Sequence, residues 1–315
     1  MYYIGVDLGG TNIAAGIVDE KGTLLRKGSV PTGAQREADE IIKDMAGLCK
    51  QLLDEQGLTV DDIEYAGIAT PGTADSDHGI VVYANNLPFL KYPLADKLAQ
   101  FLGVKKVLIE NDANAAAKGE AACGAAKGYA NSVMITLGTG LGGGIIIDGK
   151  VYSGFNYAGA ELGHTVIEVG GLPCSCGRKG CWEAYSSATG LINMTKAKLA
   201  ETKDTVMHEM VEKEGKVSGR TAFDAMRKGD KAAKEVVDKY IYYLAMGITN
   251  IINIFQPEVL VIGGGICNEK HYLTDPLMDI VNTEQYSRNS EKKTQIRIAE
   301  LGNDAGIIGA AMLGL

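Results

Sequence analysis

The chain has 315 residues, 46% of them hydrophobic and 22% charged, with a formal net charge of −8. That length supports a large core and about two domains. An acidic balance without basic clusters excludes nucleic acid or an anionic membrane surface as the main partner, and no apolar run approaches the roughly 18 residues a membrane-spanning helix needs.

In chain order, the pattern predicts strands at 2–7, 13–18, 24–30, 65–69 and 106–110, with helices at 37–56 and 93–102. A helix opens at Asp112 and runs to about Gly124, and from Ser132 the strand–glycine loop–strand pattern of the N-terminus recurs. Residues 150–182 are Gly-rich and irregular. Helices are expected at 183–200, 204–213, 221–227 and 230–255, the last stopped by Pro257. A buried-type strand at 259–262 ends in three glycines, and 304–315 reads as a small-residue helix. The result is an α/β architecture of two domains of related design with a cleft between them. The boundary is expected at 117/118: an N-terminal domain at 1–117, completed by the helix at 303–315, and a second at 118–302.

Two loops share one chemistry. Asp7-Leu8-Gly9-Gly10-Thr11-Asn12 and Thr136-Leu137-Gly138-Thr139-Gly140-Leu141-Gly142 each lie between two strand-like runs. Backbone N–H groups of such turns can face a phosphate with no side chain in the way. Thr11 and Thr139 add hydroxyl donors, and Asp7 suits Mg²⁺ held through waters. Gly138-x-Gly140-x-x-Gly143 also fits the dinucleotide-binding pattern, but that pattern needs a following helix, and 145–147 reads as a strand. Either loop alone is as well explained as a tight hairpin turn; the pair points to the phosphates of ATP. Gly264 and Gly265, at the carboxyl end of a buried strand, are placed to let the adenosine approach the backbone, although a plain turn explains them equally.

Asp112 lies where the strand at 106–110 passes into a helix. One reading makes it the helix N-cap. The other makes it a general base, taking the proton of an alcohol as the alcohol attacks phosphorus, with the helix dipole keeping it ionised. Of the six cysteines, Cys174, Cys176 and Cys181 fall within eight positions and follow His164. One imidazole and three thiolates are a tetrahedral set for structural zinc. That set, with no disulfide framework elsewhere, places the chain in a reducing, cytoplasmic compartment. Glu161 and Glu183 flank the cluster. With Asn85, Asn86, Asn111 and Asp112 they form a set of carboxylates and amides matched to sugar hydroxyls.

These strings resemble the ROK family of sugar kinases and its relatives. The resemblance rests on 7–11, on Glu110-Asn111-Asp112-Ala113-Asn114, on 136–144, on Glu161-Leu162-Gly163-His164, and on Cys174-Ser175-Cys176-Gly177-Arg178-Lys179-Gly180-Cys181-Trp182-Glu183, all in family order. It implies an actin-like ATPase fold of the hexokinase/Hsp70 type and ATP-dependent phosphorylation of a hexose, glucose first, with Mg²⁺ and structural Zn²⁺. It implies Asp112 as base and sugar contacts from Asn86, Asn111, Asp112, Glu161, His164 and Glu183, with Gly72 on the same side; His164 doubles as zinc ligand. Gly9, Gly10, Thr11, Asn12, Gly138, Thr139 and Gly140 fall to the nucleotide, and the family's habit is a homodimer or homotetramer. Two departures bear on the sugar: Asn12 stands where many glucose-phosphorylating members carry Lys, and Asn86-Leu87-Pro88-Phe89 lacks the Trp that often follows. Relatives that phosphorylate N-acetylmannosamine, allose, mannose or fructose are the nearest alternative. A repressor of the same family is expected to carry a winged helix ahead of the first loop, where Asp7 leaves no space.

Overall fold

A computed structural model describes residues 1–315. Its first half runs β1 (Tyr2–Leu8), β2 (Asn12–Asp19), β3 (Leu24–Pro31), α1 (Ala38–Gln56), β4 (Ile63–Thr70), β5 (Thr73–Asp75), β6 (Ile80–Tyr83), β7 (Leu90–Tyr92), α2 (Leu94–Leu102), β8 (Val107–Asn111) and α3 (Asp112–Cys123). It continues with β9 (Ser132–Leu137), β10 (Leu141–Ile147), β11 (Lys150–Val151), α4 (Trp182–Ser186), α5 (Ala188–Glu201), α6 (Met207–Glu214), α7 (Thr221–Arg227) and α8 (Lys231–Phe255). The last elements are β12 (Val259–Gly263), α9 (His271–Glu284), β13 (Gln295–Ile298) and α10 (Ala305–Ala311). No helix is long and apolar enough to cross a membrane.

The chain forms two compact units. The first comprises Met1–Met134, Gly144–Ala160 and Ala299–Leu315; the second comprises Ile135–Gly143 and Glu161–Ile298. Two five-stranded sheets follow one plan. Their orders are β3-β2-β1-β4-β8 and β11-β10-β9-β12-β13, so each begins with a three-strand meander and adds two later strands beside the first. In the first sheet β2 is antiparallel to β1 and β3, while β1, β4 and β8 are parallel. The carboxyl ends of β1, β4 and β8 therefore share one edge, the edge at which open α/β sheets bind ligands.

In the first unit the sheet is covered on both faces. Ile4, Val6 and Leu8 of β1 pack with Ile41, Met45 and Leu52 of α1, while Tyr3 packs with Ile307, Ile308 and Ala311 of α10. This is the period-2 alternation of a strand buried on both sides. A Cβ at Gly5 or Gly67 would lie 1.9 Å from Ile307 O or 1.8 Å from Ala310 O, so both glycines let α10 lie directly on the sheet. Asp7 follows Tyr3 and Gly5 on that same face, which puts its carboxylate beside Gly306 at the start of α10.

In the second unit α8 is the central helix, packed by α4, α5, α7 and α9. Trp182 is fully buried against Gly247 and donates Nε1–H to Tyr243 O at 3.0 Å. Several elements differ from the sequence-based expectation. The small sheet β5-β6-β7, helix α9 and strand β13 were not anticipated. The single helix expected at 183–200 is divided, because extended Ser187 interrupts it and caps α5 by accepting from Gly190 N at 3.0 Å.

Candidate active site and metal centre

The hairpin between β1 and β2 closes with Gly9 N–H on Asn12 O at 3.0 Å. A turn meant for phosphate must not present carbonyl oxygens to it, since like charges repel. Thr32 removes two of them: its hydroxyl donates to Gly9 O at 2.6 Å and its N–H to Thr11 O at 2.8 Å. The β9–β10 turn is built alike, with Gly138 N–H on Gly140 O at 3.0 Å. There Ala188 N–H donates to Gly138 O at 2.9 Å, and the Thr189 hydroxyl to Thr139 O at 2.7 Å. Gly10, Thr11, Asn12, Gly138 and Thr139 are exposed. Thr32, Ala188 and Thr189 were missed from the sequence, because nothing local to them marks a partner 21 to 50 positions away.

Gly10 and Thr11 line a recess of about 720 Å³ together with Ala34, Gln35, Asn85, Asn86, Leu87 and Pro88. The structure thus joins the first loop to the Asn85–Asn86 pair expected on the sugar side. Phe89 turns inward and stacks on Tyr92, leaving Pro88 on the recess wall.

At the end of β8, the helix cap is Asn111 and not Asp112. Asn111 Oδ1 accepts from Ala113 N at 3.0 Å and Asn114 N at 3.3 Å, and Asp112 is the first helical residue. Asn111 Nδ2 also donates to Gly72 O at 3.1 Å, tying the strand end to the turn after β4. Gly72, just beyond β4, has φ +86°, and a Cβ there would lie 2.1 Å from Tyr83 O, so only glycine fits. Asp112 itself is exposed. Even so, crowding by surrounding protein raises its pKa, and hydrogen bonds from Ala113 N and the Asn111 side chain offset only part of that. Burial thus acts on Asp112 in the sense opposite to the helix dipole expected to keep it ionised. Asp7 is pushed up to about 6, first by burial and then by the charge of Asp112. The two carboxylates are close enough to repel, and one divalent cation beside Asp7 would relieve that repulsion.

In the second unit His164, Cys174, Cys176 and Cys181 place one ligand atom each within 4.8 Å of all the others. Cys176 Sγ and Cys181 Sγ are 3.7 Å apart, as are Cys174 Sγ and His164 Nδ1. A tetrahedron with Zn–S near 2.3 Å and Zn–N near 2.1 Å has edges of about 3.5–3.8 Å. The cluster therefore fits structural zinc, with Nδ1 as the imidazole ligand. Its Nε2 points the other way, 4.0 Å from Glu161 Oε2. Burial and the neighbouring thiols push the Cys181 pKa up, so a dication binding here would have to displace its proton.

Glu183 lies between the cluster and the second loop. Its Oε2 accepts from Leu141 N at 2.9 Å, and its Oε1 from the Ser175 hydroxyl at 3.3 Å, with Cys174 Sγ at 3.7 Å. Gly264, at the end of β12, has φ +97° and lies against Leu137, where a Cβ would be 2.3 Å from the carbonyl oxygen. Gly264 and Gly265 are both exposed. Of the remaining histidines, His78 pairs with Asp75 and His208 with Thr202 O.

The ROK family profile matches residues 3–315. The chain belongs to the ROK family. It is 37% identical over 312 residues to a glucokinase of Thermotoga maritima, covering 98% of this chain and 96% of that one. It is 36% identical over 313 residues to a glucokinase of Halalkalibacterium halodurans, covering 99% and 94%. Among solved structures, a ROK family glucokinase from Streptomyces griseus in complex with glucose and AMPPNP superposes with a TM-score of 0.81 at 34% identity, over 99% of both chains. The actin-like fold with two mixed sheets is thereby the fold of this ROK chain.

Proposed function

We propose that this ROK chain is an ATP-dependent hexose kinase whose preferred acceptor is glucose, converting glucose and ATP to glucose 6-phosphate and ADP. The observation that carries the reading is the edge of the first sheet. Asp7 at the end of β1, Gly72 after β4 and Asn111-Asp112 at the end of β8 are brought to one side by three parallel strands. The recess lined by the first loop and Asn86 belongs to the same unit. In this reading Asp112 accepts the proton of the attacking hydroxyl as the bond to phosphorus forms. Asn86, Asn111, Glu161, His164 and Glu183 are the residues assigned to the sugar. Residues 9–12 and 138–140 hold the phosphates, and Gly264 and Gly265 accommodate the adenosine. Mg²⁺, when bound with the nucleotide, neutralises phosphate charge beside Asp7. The cluster at His164, Cys174, Cys176 and Cys181 holds zinc as a structural ion. The relatives' full-length similarity supports the same activity, and the chain is taken to work as a homodimer or homotetramer.

A second reading keeps the chemistry and changes the sugar to N-acetylmannosamine, allose, mannose or fructose. The string Asn86-Leu87-Pro88-Phe89 favours it, since it lacks the Trp that often follows Asn-Leu in glucose-phosphorylating members and Pro88 lines the recess. One experiment addresses both readings: coupled ADP release across a panel of hexoses and N-acetylhexosamines, with Asp112→Asn in parallel. Glucose is expected to give the highest kcat/KM, and Asp112→Asn to lower kcat by about 10²–10⁴-fold with sugar affinity largely kept. Wild-type turnover in Asp112→Asn removes the base from the mechanism.

A further inference from the structure

Glu110 is a buried carboxylate that the proposed chemistry does not use. It is 5% exposed, and burial raises its pKa. Its Oε1 accepts from the backbone N–H of Asn111 at 2.9 Å and from Asn114 Nδ2 at 3.0 Å, while its Oε2 accepts from the Ser153 hydroxyl at 3.0 Å. Asn114 is only 2% exposed, and its Oδ1 has no partner. A buried amide that leaves its own oxygen bare is oriented by its other end, so the bond to Glu110 sets the Asn114 rotamer.

The three donors belong to two separate segments of the first unit. Asn111 and Asn114 flank Asp112 at the opening of α3. Ser153 begins a compact loop that closes on itself through Gly159 N–H on Ser153 O at 2.8 Å. Tyr157, at φ +62°, ties that loop to the small sheet by donating to Asp77 Oδ2 at 2.7 Å. Phe155 at its tip is 99% exposed. Burying a carboxylate is costly, and a fold that needed only packing at this position is served as well by an apolar side chain. A forked polar side chain is favoured where hydrogen-bonding groups from separate segments must converge on one point.

We infer that Glu110 is a positioning residue that holds the Asn111–Asp112 strand end and the loop at 153–159 in one fixed geometry, so that the Asp112 carboxylate stays aligned for proton transfer. The inference rests on Asp112 being the base. A displacement of about 1 Å at such a group is enough to cost roughly 10²-fold in rate.

The test uses the full chain with ATP and glucose, or the hexose of the panel with the highest rate. Glu110→Ala is expected to lower kcat by about 10²-fold with the nucleotide KM unmoved. Glu110→Gln restores kcat to within several-fold, because its Oε1 can accept from Asn111 and Asn114 and its Nε2 can donate to Ser153. Ser153→Ala is expected to lower kcat less, and the double variant Glu110→Ala/Ser153→Ala to be no slower than Glu110→Ala alone. If Glu110→Ala does not fold, Glu110→Asp replaces it. One methylene shorter, it keeps the charge but cannot reach Asn114 and Ser153 together, and the same loss in kcat is expected. Wild-type kcat in the folded Ala or Asp variant overturns the inference, and so do fully additive Glu110 and Ser153 effects. Asp112→Asn, run alongside, separates the two claims. An active Asp112→Asn removes the base assignment, whereas an inactive Asp112→Asn with an unaffected Glu110 variant removes only the positioning role.

Discussion

Replacing Asp7 by Asn should make the free protein more stable at neutral pH while damaging its activity. The Asp7 carboxyl is raised from its ordinary 3.8 to about 6, by burial first and by Asp112 second. The difference of about 2 units, at 1.36 kcal/mol each, amounts to about 3 kcal/mol. The sign follows from which state binds the proton more tightly, and here that is the folded one. Below pH 3.8 both states are protonated and Asp7 contributes nothing. As pH rises from 3.8 to 6 the unfolded chain loses its proton first and stability falls, levelling off above 6. Asp7→Asn lacks this penalty. Urea denaturation without Mg²⁺ or nucleotide should therefore show the variant more stable by about 2–3 kcal/mol at pH 7.5, but by only about 0.5 kcal/mol at pH 4. The gain at pH 7.5 should shrink in an Asp112→Asn background, where one source of the shift is gone. A gain equal at both pH values, or none at pH 7.5, refutes the electrostatic account. The kinase assay completes the argument: if Asp7 is strained because it serves the cation, the more stable variant turns over more slowly.

Metal analysis should find about one zinc per chain. A strong chelator should lower the Tm and expose Cys174, Cys176 and Cys181 to a thiol reagent; full thiol reactivity before chelation contradicts the cluster. Gly309→Ala places a Cβ 1.7 Å from Ala115 O, where α10 crosses α3. It should cost about 3 kcal/mol or more in urea denaturation, and a neutral result means the two helices do not pack this closely. Thr32→Val frees the Gly9 carbonyl while keeping the side-chain shape. It should raise the KM for ATP several-fold with the sugar KM held, and an unchanged KM for ATP removes Thr32 from the loop's support.

Much of the site was legible because its signals are local. A glycine–threonine turn between two strand patterns needs only neighbouring residues to declare itself, and so do the cysteine spacing and the apolar stripe of α8. What escaped was non-local or ambiguous. Pro276 lies inside α9 and breaks the hydrogen-bond ladder that the pattern would otherwise announce. The four residues of β13 alternate without an apolar face strong enough to separate them from a loop. Asn111 and Asp112 are adjacent and equally good caps, so composition alone cannot assign the role; the bonds from Ala113 N and Asn114 N do. The rise in the Asp112 pKa follows from crowding by the folded chain, which a reading confined to the helix dipole does not contain. Glu110 illustrates the same limit: its partners include Ser153, 43 positions away.

The repeated sheet plan makes the differences between its two copies informative. Asp7-Leu8-Gly9 of the first copy corresponds to Thr136-Leu137-Gly138 of the second, and both turns have their carbonyls held by a threonine hydroxyl and a backbone N–H. The strands that follow also match: β4 is followed by Gly72 and β12 by Gly264, both at positive φ and both pressed against a carbonyl. The geometry has been kept and the charge has not. A carboxylate at the first strand end repels bare phosphate, so it is useful only where a cation intervenes; a threonine at the second imposes no such condition. A phosphate at the first copy would therefore need a cation beside Asp7, and one at the second would not. The neutral copy offers backbone donors and the Thr139 hydroxyl, and is braced by Glu183 through Leu141 N. The duplicated fold thus supplies two turns of like geometry, and the single Asp-to-Thr difference makes only the first of them dependent on a cation for binding an anion.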